Sequence, residues 1–188
     1  SVCSNMSRLT QTDWIAAGFR ALTTKGPQAL KAEPLARDLG TTKGSFYWHF
    51  KDVPAFQEQM LSHWEEKATQ NIIVALDPIP TPAAKLRALS QLATTPQGNY
   101  GGVGAEPAIR AWARADKNVA AALARVDTTR LAYLQEIFTA MDMANPDLPR
   151  ICYASLIGLQ ELSDDCDSTG TTPMATLVDL MIALAKTD

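Results

Sequence analysis

The sequence predicts an all-α protein of about nine helices, and three observations carry the prediction. Its periodic stretches repeat apolar residues at the 3.6 spacing of helices, and no convincing period-two run marks a buried strand. The breaks between stretches fall at Pro, Asp and Thr residues suited to helix starts. With 46% hydrophobic and 20% charged residues over a length of 188, the chain can bury a sizeable core, which excludes disordered, collagen-like and disulfide-scaffold classes.

The first helix is predicted from a cap at Thr12, with Ile15, Phe19 and Leu22 on one face, to an end near Lys25-Gly26-Pro27. A short second helix covers about 33–39. Pro34 is tolerated there because first-turn N–H groups have no intrahelical acceptor, and Gly40 supplies a residue for which left-handed backbone is cheap. Thr42 caps a third short helix ending near His49, whose Phe46 and Phe50 face inward towards Leu35 and Leu39. Asp52 caps a long fourth helix with Pro54 in its first turn, reaching about Val74 before Pro78, Pro80 and Pro82 break the chain. Further helices are expected at about 83–94, 105–114, 117–141, 147–162 and 173–186, with flexible connections at 94–104 and 163–172.

Residues 1–56 carry seven basic and four acidic groups, a balance of +3, and the remainder carries ten and sixteen, a balance of −6, which together give the net −3. A basic head on an acidic body suggests that the head meets a polyanion. No apolar run approaches the roughly 18 residues of a membrane span, and no export signal is read. Cys3, Cys152 and Cys166 are widely scattered, which fits free thiols in a reducing cytoplasm.

The informative run is Leu35-Ala36-Arg37-Asp38-Leu39-Gly40-Thr41-Thr42-Lys43-Gly44-Ser45-Phe46-Tyr47-Trp48-His49-Phe50-Lys51. A helix, a Gly-containing turn and a second helix form a helix-turn-helix, whose second helix lies in the major groove. Thr42, Lys43, Gly44, Ser45, Tyr47, Trp48, His49 and Lys51 then become the DNA-contacting candidates. Lys43 suits a base edge or a phosphate, the Gly44 and Ser45 amides suit a phosphate, and Tyr47, His49 and Lys51 suit backbone oxygens. Spacing alone equally allows Tyr47 and Trp48 to cover core, with His49 solvated.

That run, the Ala-rich first helix and the long helix after Phe50 closely resemble the DNA-binding domain of the TetR family of bacterial transcriptional regulators, over residues 12 to about 60. The resemblance implies a helix-turn-helix domain at 7–52 and an effector-binding and dimerisation domain at 53–188. It further implies a homodimer, usually a repressor, that reads a palindromic operator and is released by a small effector. Three positions depart from the family: Lys31 stands where Ser or Thr caps the second helix, Thr41 where an aliphatic residue is usual, and Val53 where many members carry a phosphate-binding lysine. Weaker or differently anchored operator binding follows from the missing cap and anchor.

In the body, Glu106 to Ala113 and Val126 to Leu134 resemble a common subgroup of these regulators. Arg110, Asp127 and Arg130 read as structural, since a charge inside an apolar stripe is usually paired; ligand binding through Arg130 is the alternative. The fourth helix brings Met60, His63 and Trp64 towards Trp112, Tyr133, Ile137 and Met141 of the body. Trp112 and Tyr133 also read as core, but the resemblance places an effector among these helices, where aromatics and methionine with few charges suit a flat or oily organic molecule. It also implies a dimer interface from the last two helices through Tyr153, Leu156, Ile157, Leu159, Gln160, Leu177, Leu180, Met181 and Leu184.

An enzyme finds little support. His49 and His63 are the two histidines, Gly98, Gly101, Gly102 and Gly104 lack the strand and Lys-Ser/Thr of a phosphate loop, and no Gly-x-Ser-x-Gly occurs. No catalytic residue, cofactor or metal site is therefore assigned, and Asp164-Asp165-Cys166-Asp167 reads as a solvated acidic loop. A helical small-molecule carrier that does not bind DNA is the third reading, which the exposed aromatic run argues against.

Overall fold

The computed structural model describes residues 9–94, 104–162 and 172–185, which contain helices and no strand. The first helix, α1 (Gln11–Lys25), is capped by Thr10, not Thr12. Asp13 decides this: Thr10 Oγ1 accepts from the Asp13 N–H at 3.3 Å while the Asp13 carboxylate accepts from the Thr10 N–H at 2.8 Å, a reciprocal box that only this spacing closes. A 3-10 turn at Pro27–Ala29 leads to α2 (Ala32–Asp38). Lys31 at its N-cap contributes no side-chain bond.

The helix-turn-helix corner follows from Gly40. Its φ of +65° is the left-handed conformation that glycine adopts without strain. In that geometry the Gly40 N–H donates to the Arg37 carbonyl at 3.1 Å and the Thr41 N–H to the Ala36 carbonyl at 2.8 Å, so α2 ends with its carbonyls satisfied. Thr42 then caps α3 (Lys43–His49) by accepting from the Ser45 N–H at 3.3 Å.

Phe46 and Phe50 seat α3 on the core that includes Leu35, and their ring partners are aromatic. Trp14 and Phe56 meet Phe46 edge-on, each at 5.4 Å, and Phe56 meets Phe50 at 5.0 Å. Such pairs add about 0.5–1.5 kcal/mol each beyond their buried area. At Gly18 α1 passes close to the helix that carries Phe56 and Met60: a Cβ there would lie 2.6 Å from Phe56 Cζ and 2.8 Å from Met60 Sδ.

Asp52 caps α4 (Val53–Ala68), accepting from the Ala55 N–H at 2.8 Å, with Pro54 in the first turn. The continuous helix expected as far as Val74 is divided at Thr69 (φ −129°, ψ −82°), and α5 (Gln70–Leu76) follows. Two donors displace the helical pattern there: the Thr69 hydroxyl bonds the Glu65 carbonyl at 2.6 Å, and Arg130 Nε bonds the Ala68 carbonyl at 3.1 Å.

The remaining helices are α6 (Pro82–Thr94), α7 (Ala105–Ala113), α8 (Lys117–Thr139), α9 (Asp147–Glu161) and α10 (Pro173–Leu184), within a few residues of expectation. The division at Thr69 makes ten α-helices among the described residues. The 23-residue α8, about 35 Å long, links two cores. Val119, Ala122 and Val126 pack with α1, α4 and α7, whereas Leu134, Ile137 and Phe138 pack with α6, α9 and α10. Among the described residues no helix is long and apolar enough to cross a membrane. Cys3, Cys166, the acidic run at 164–167, Gly98, Gly101 and Gly102, and nearly all of both connections expected to be flexible lie outside the described residues.

Candidate nucleic-acid interface and ligand cavity

The outer face of α3 is open. Trp48 is 80% exposed and Tyr47 48% exposed, beside exposed Lys43 and Gly44 one turn earlier. Trp48 therefore covers no core, which resolves the ambiguity left by spacing. Tyr47 divides its role, with its ring edge 5.3 Å from Phe46 and half its surface in solvent. Half-buried Ser45 and His49 border this face and exposed Lys51 lies beyond it. His49 is anchored: its ring lies 6.5 Å from that of Trp14 and its carbonyl accepts from Gln11 Nε2 at 3.1 Å. Lys43 Nζ donates to Glu33 Oε1 at 3.0 Å. That hydrogen bond holds the Glu33 carboxyl below its ordinary range and raises the Lys43 ammonium. Glu33 and Lys43 are ten residues apart across the turn, so helical periodicity gives no sign of the pair.

A second feature lies in the body, where α4, α5, α6, α7, α8, α9 and α10 line a cavity of about 740 Å³, including the part open to solvent. Ile72, Ile73, Leu86, Leu89, Leu134 and Val178 give it an aliphatic wall. Its polar end is a tightly bonded cluster. Arg130 Nη1 donates to both oxygens of Glu106 at 2.8 Å. Arg110 Nη2 donates to Glu106 at 2.9 Å and to Asp127 at 2.7 Å. The Tyr153 hydroxyl accepts from both arginines, at 2.8 and 3.0 Å, and donates to Asp127 at 2.7 Å. Burial pushes the Tyr153 phenol well above its ordinary value, so it keeps the proton that it donates. The expected pairing of Arg110, Asp127 and Arg130 is present, and Glu106 and Tyr153 complete it.

Residues 15–52 match the family model for bacterial regulatory proteins of the tetR family. This head is a TetR-family domain. No curated protein matches the sequence. The fold of the whole chain is similar to that of a transcriptional regulator from Rhodococcus sp. Rha1, with a TM-score of 0.71 at 16% identity over 94% of this chain and 96% of that one. It is also similar to a putative transcriptional regulator from Saccharomonospora viridis in complex with choline (TM-score 0.62, 15% identity, 93% and 92% covered). The fatty acid degradation regulator FadR from Bacillus halodurans shares the fold as well (TM-score 0.66, 14% identity, 95% and 96% covered).

In the body the residues expected to hold an effector do not line one cavity. Tyr133 lines the cavity. Met60, Trp64 and Trp112 are buried in the core shared with the head, because α4 and α7 pack there against α1 and α8. Ile137 belongs to the second core, Met141 packs against it, and half-buried His63 does not reach the cavity wall. The wall is thus mainly aliphatic, with Tyr133 and Tyr153 as its aromatic residues among the described ones.

The residues expected at the dimer interface also separate. Tyr153 and Met181 are buried within the protomer, and Leu156 and Gln160 line the cavity. Ile157, Leu159 and Leu177 are half-buried against the second core. Leu180 and Leu184 stand out, 61% and 64% exposed, and they are joined by Ile151 at 50% and Leu162 at 67% on the neighbouring helix and its end. Of the seven large apolar side chains exposed among the described residues, these four share the α9 and α10 region. Helical spacing could have identified Ile151 as the opposite stripe to buried Cys152 and Tyr153.

Proposed function

We propose that the protein is a homodimeric transcriptional regulator, acting as a repressor in the cytoplasm, in which two α3 helices read a palindromic operator. Residues 7–52 serve as the DNA-binding domain and residues 53–188 as the effector-binding and dimerisation domain. The observation that carries the reading is Trp48, an 80% exposed indole on a helix held rigidly by Phe46 and Phe50. A large exposed aromatic beside Tyr47 and Lys43 is accounted for by contact with bases and phosphates. A helical carrier that does not bind DNA leaves it without a role.

The exposed α9 and α10 stripe supports the dimer, since a stable interface of this type buries on the order of 2,000 Å². The cavity supports an effector. A ligand that binds the DNA-competent and released states differently, with a coupling of about 1–3 kcal/mol, weakens operator affinity by about 5- to 150-fold, and equal affinity for both states shifts nothing. Selection of duplexes from a random-sequence pool by the purified full chain tests the reading. Enrichment of one inverted repeat is expected; a pool that stays unenriched overturns it.

A further inference from the structure

Among the described residues the cavity wall contains two charged side chains, Glu106 and Arg130, and they bond each other at 2.8 Å. Behind them Arg110 and Asp127 add one charge of each sign at 2.7 Å. The polar end therefore has no net charge, and its carboxylates and guanidinium groups are already engaged. A ligand with an ionised headgroup would lose its hydration without meeting a free counter-charge, which is costly.

The polar hydrogens of the smaller wall residues are also in use. The hydroxyls of Thr69, Ser90 and Thr129 donate to the carbonyls of Glu65, Arg87 and Arg125 at 2.6, 2.8 and 3.0 Å. Two wall residues differ. Tyr133 Oη on α8 and Gln160 Oε1 on α9 are buried oxygens with no hydrogen-bond partner among the described residues. Leaving such atoms unpaired costs free energy that a ligand group can recover. Burial, with Asp77 and Glu136 nearby, raises the Tyr133 phenol, so at neutral pH it is a donor.

Resting on the reading of this cavity as the effector site, we propose that its ligand is an uncharged molecule with an aliphatic body and neutral polar groups. One group donates a hydrogen bond to Gln160 Oε1 and one accepts a hydrogen bond from Tyr133 Oη. Alcohols and unsubstituted amides fit this class, whereas carboxylates and quaternary ammonium ions do not.

The test uses four probes of matched chain: octanamide, N,N-dimethyloctanamide, octanoate and octyltrimethylammonium. Their binding to the full chain is measured by calorimetry, with operator affinity followed in parallel. Octanamide should bind at least about tenfold more tightly than either ion and several-fold more tightly than the dimethyl amide, which lacks the donor. Gln160→Leu should abolish the difference between the two amides, and Tyr133→Phe should weaken both. Leu156→Trp, or Ala93→Leu should the first variant unfold, fills the cavity and should weaken octanamide binding.

Preference for an ion, in a protein whose binding the filling variants abolish, overturns the ligand class and leaves the cavity as the effector site. Amide affinities unchanged by Gln160→Leu and Tyr133→Phe overturn the assigned contacts. Probe binding indifferent to the filling variants overturns the cavity reading itself. Failure of all four probes to bind a chain that still holds its operator overturns the proposed ligand class.

Discussion

Arg130 Nε donates to the Ala68 carbonyl at 3.1 Å, while Nη1 of the same guanidinium holds both oxygens of Glu106. One side chain thus ties the cavity wall to the end of α4, the helix that leaves the N-terminal head. On the proposed reading, a ligand that disturbed Glu106 or Arg130 would act directly on the break at Thr69. Arg130→Met should destabilise the fold by about 3 kcal/mol, because Glu106 would stay buried with half its partners gone. It should also leave operator affinity insensitive to ligand. Urea unfolding and anisotropy titration with labelled operator check the two effects, and unchanged ligand response in a folded variant would separate Arg130 from the coupling.

Under the proposed reading of α3, Glu33 would compete with DNA for Lys43, which it holds at 3.0 Å. Both side chains are more than half exposed, so their mutual contribution to stability is small. Release of Lys43 by Glu33→Gln should raise operator affinity by about two- to fivefold, as a cation freed for phosphate would. The same change in a Lys43→Ala background should do nothing, and the double-mutant cycle measured at fixed salt distinguishes this pairing from a general charge effect.

Leu180→Glu with Leu184→Glu should give folded monomers that lose the operator, as sedimentation and circular dichroism would report together. Both side chains are exposed in the protomer, so their replacement leaves the second core intact. Met181→Glu differs in kind. That residue is 5% exposed, and a carboxylate there should unfold the protomer. A dimer that survives both changes at Leu180 and Leu184 places the interface elsewhere.

His63 contributes a pH dependence of known sign. Burial, then the nearby Lys67, holds its imidazole below the ordinary value. Above about pH 6.5 it is neutral in both folded and unfolded chains and contributes no slope. As the pH falls below that value the unfolded chain takes up the proton first, so stability declines until the lowered native value is passed. His63→Gln should flatten the fall in urea midpoint between pH 7.5 and 5.5 relative to the wild type; an unchanged fall assigns it to carboxylates.

Local signals in this chain were legible to the extent that their chemistry is local. The Gly40 turn, the Thr42 and Asp52 caps and the inward Phe46 and Phe50 each depend on residues within a few positions, and all are present. The break at Thr69 was not legible, since its deciding donor, Arg130, comes from α8. The cavity followed the same rule. Trp64 and Trp112 have the composition of a pocket, yet α4 and α7 turn them into the core beneath the head, and the wall is supplied by α5, α6 and α10 instead. Glu106 is the hub of the polar cluster because α7 and α8 face each other, a contact that spacing along the chain does not reveal.

Operator recognition is tested most directly by the affinity of the full chain for its selected duplex, measured across a range of salt concentrations. With about six to eight phosphates neutralised by a dimer, log K should fall against log salt with a slope of about −5 to −7. A scrambled duplex should bind far more weakly at every salt concentration. A flat salt dependence, or equal affinity for the scrambled duplex, would contradict operator recognition by α3.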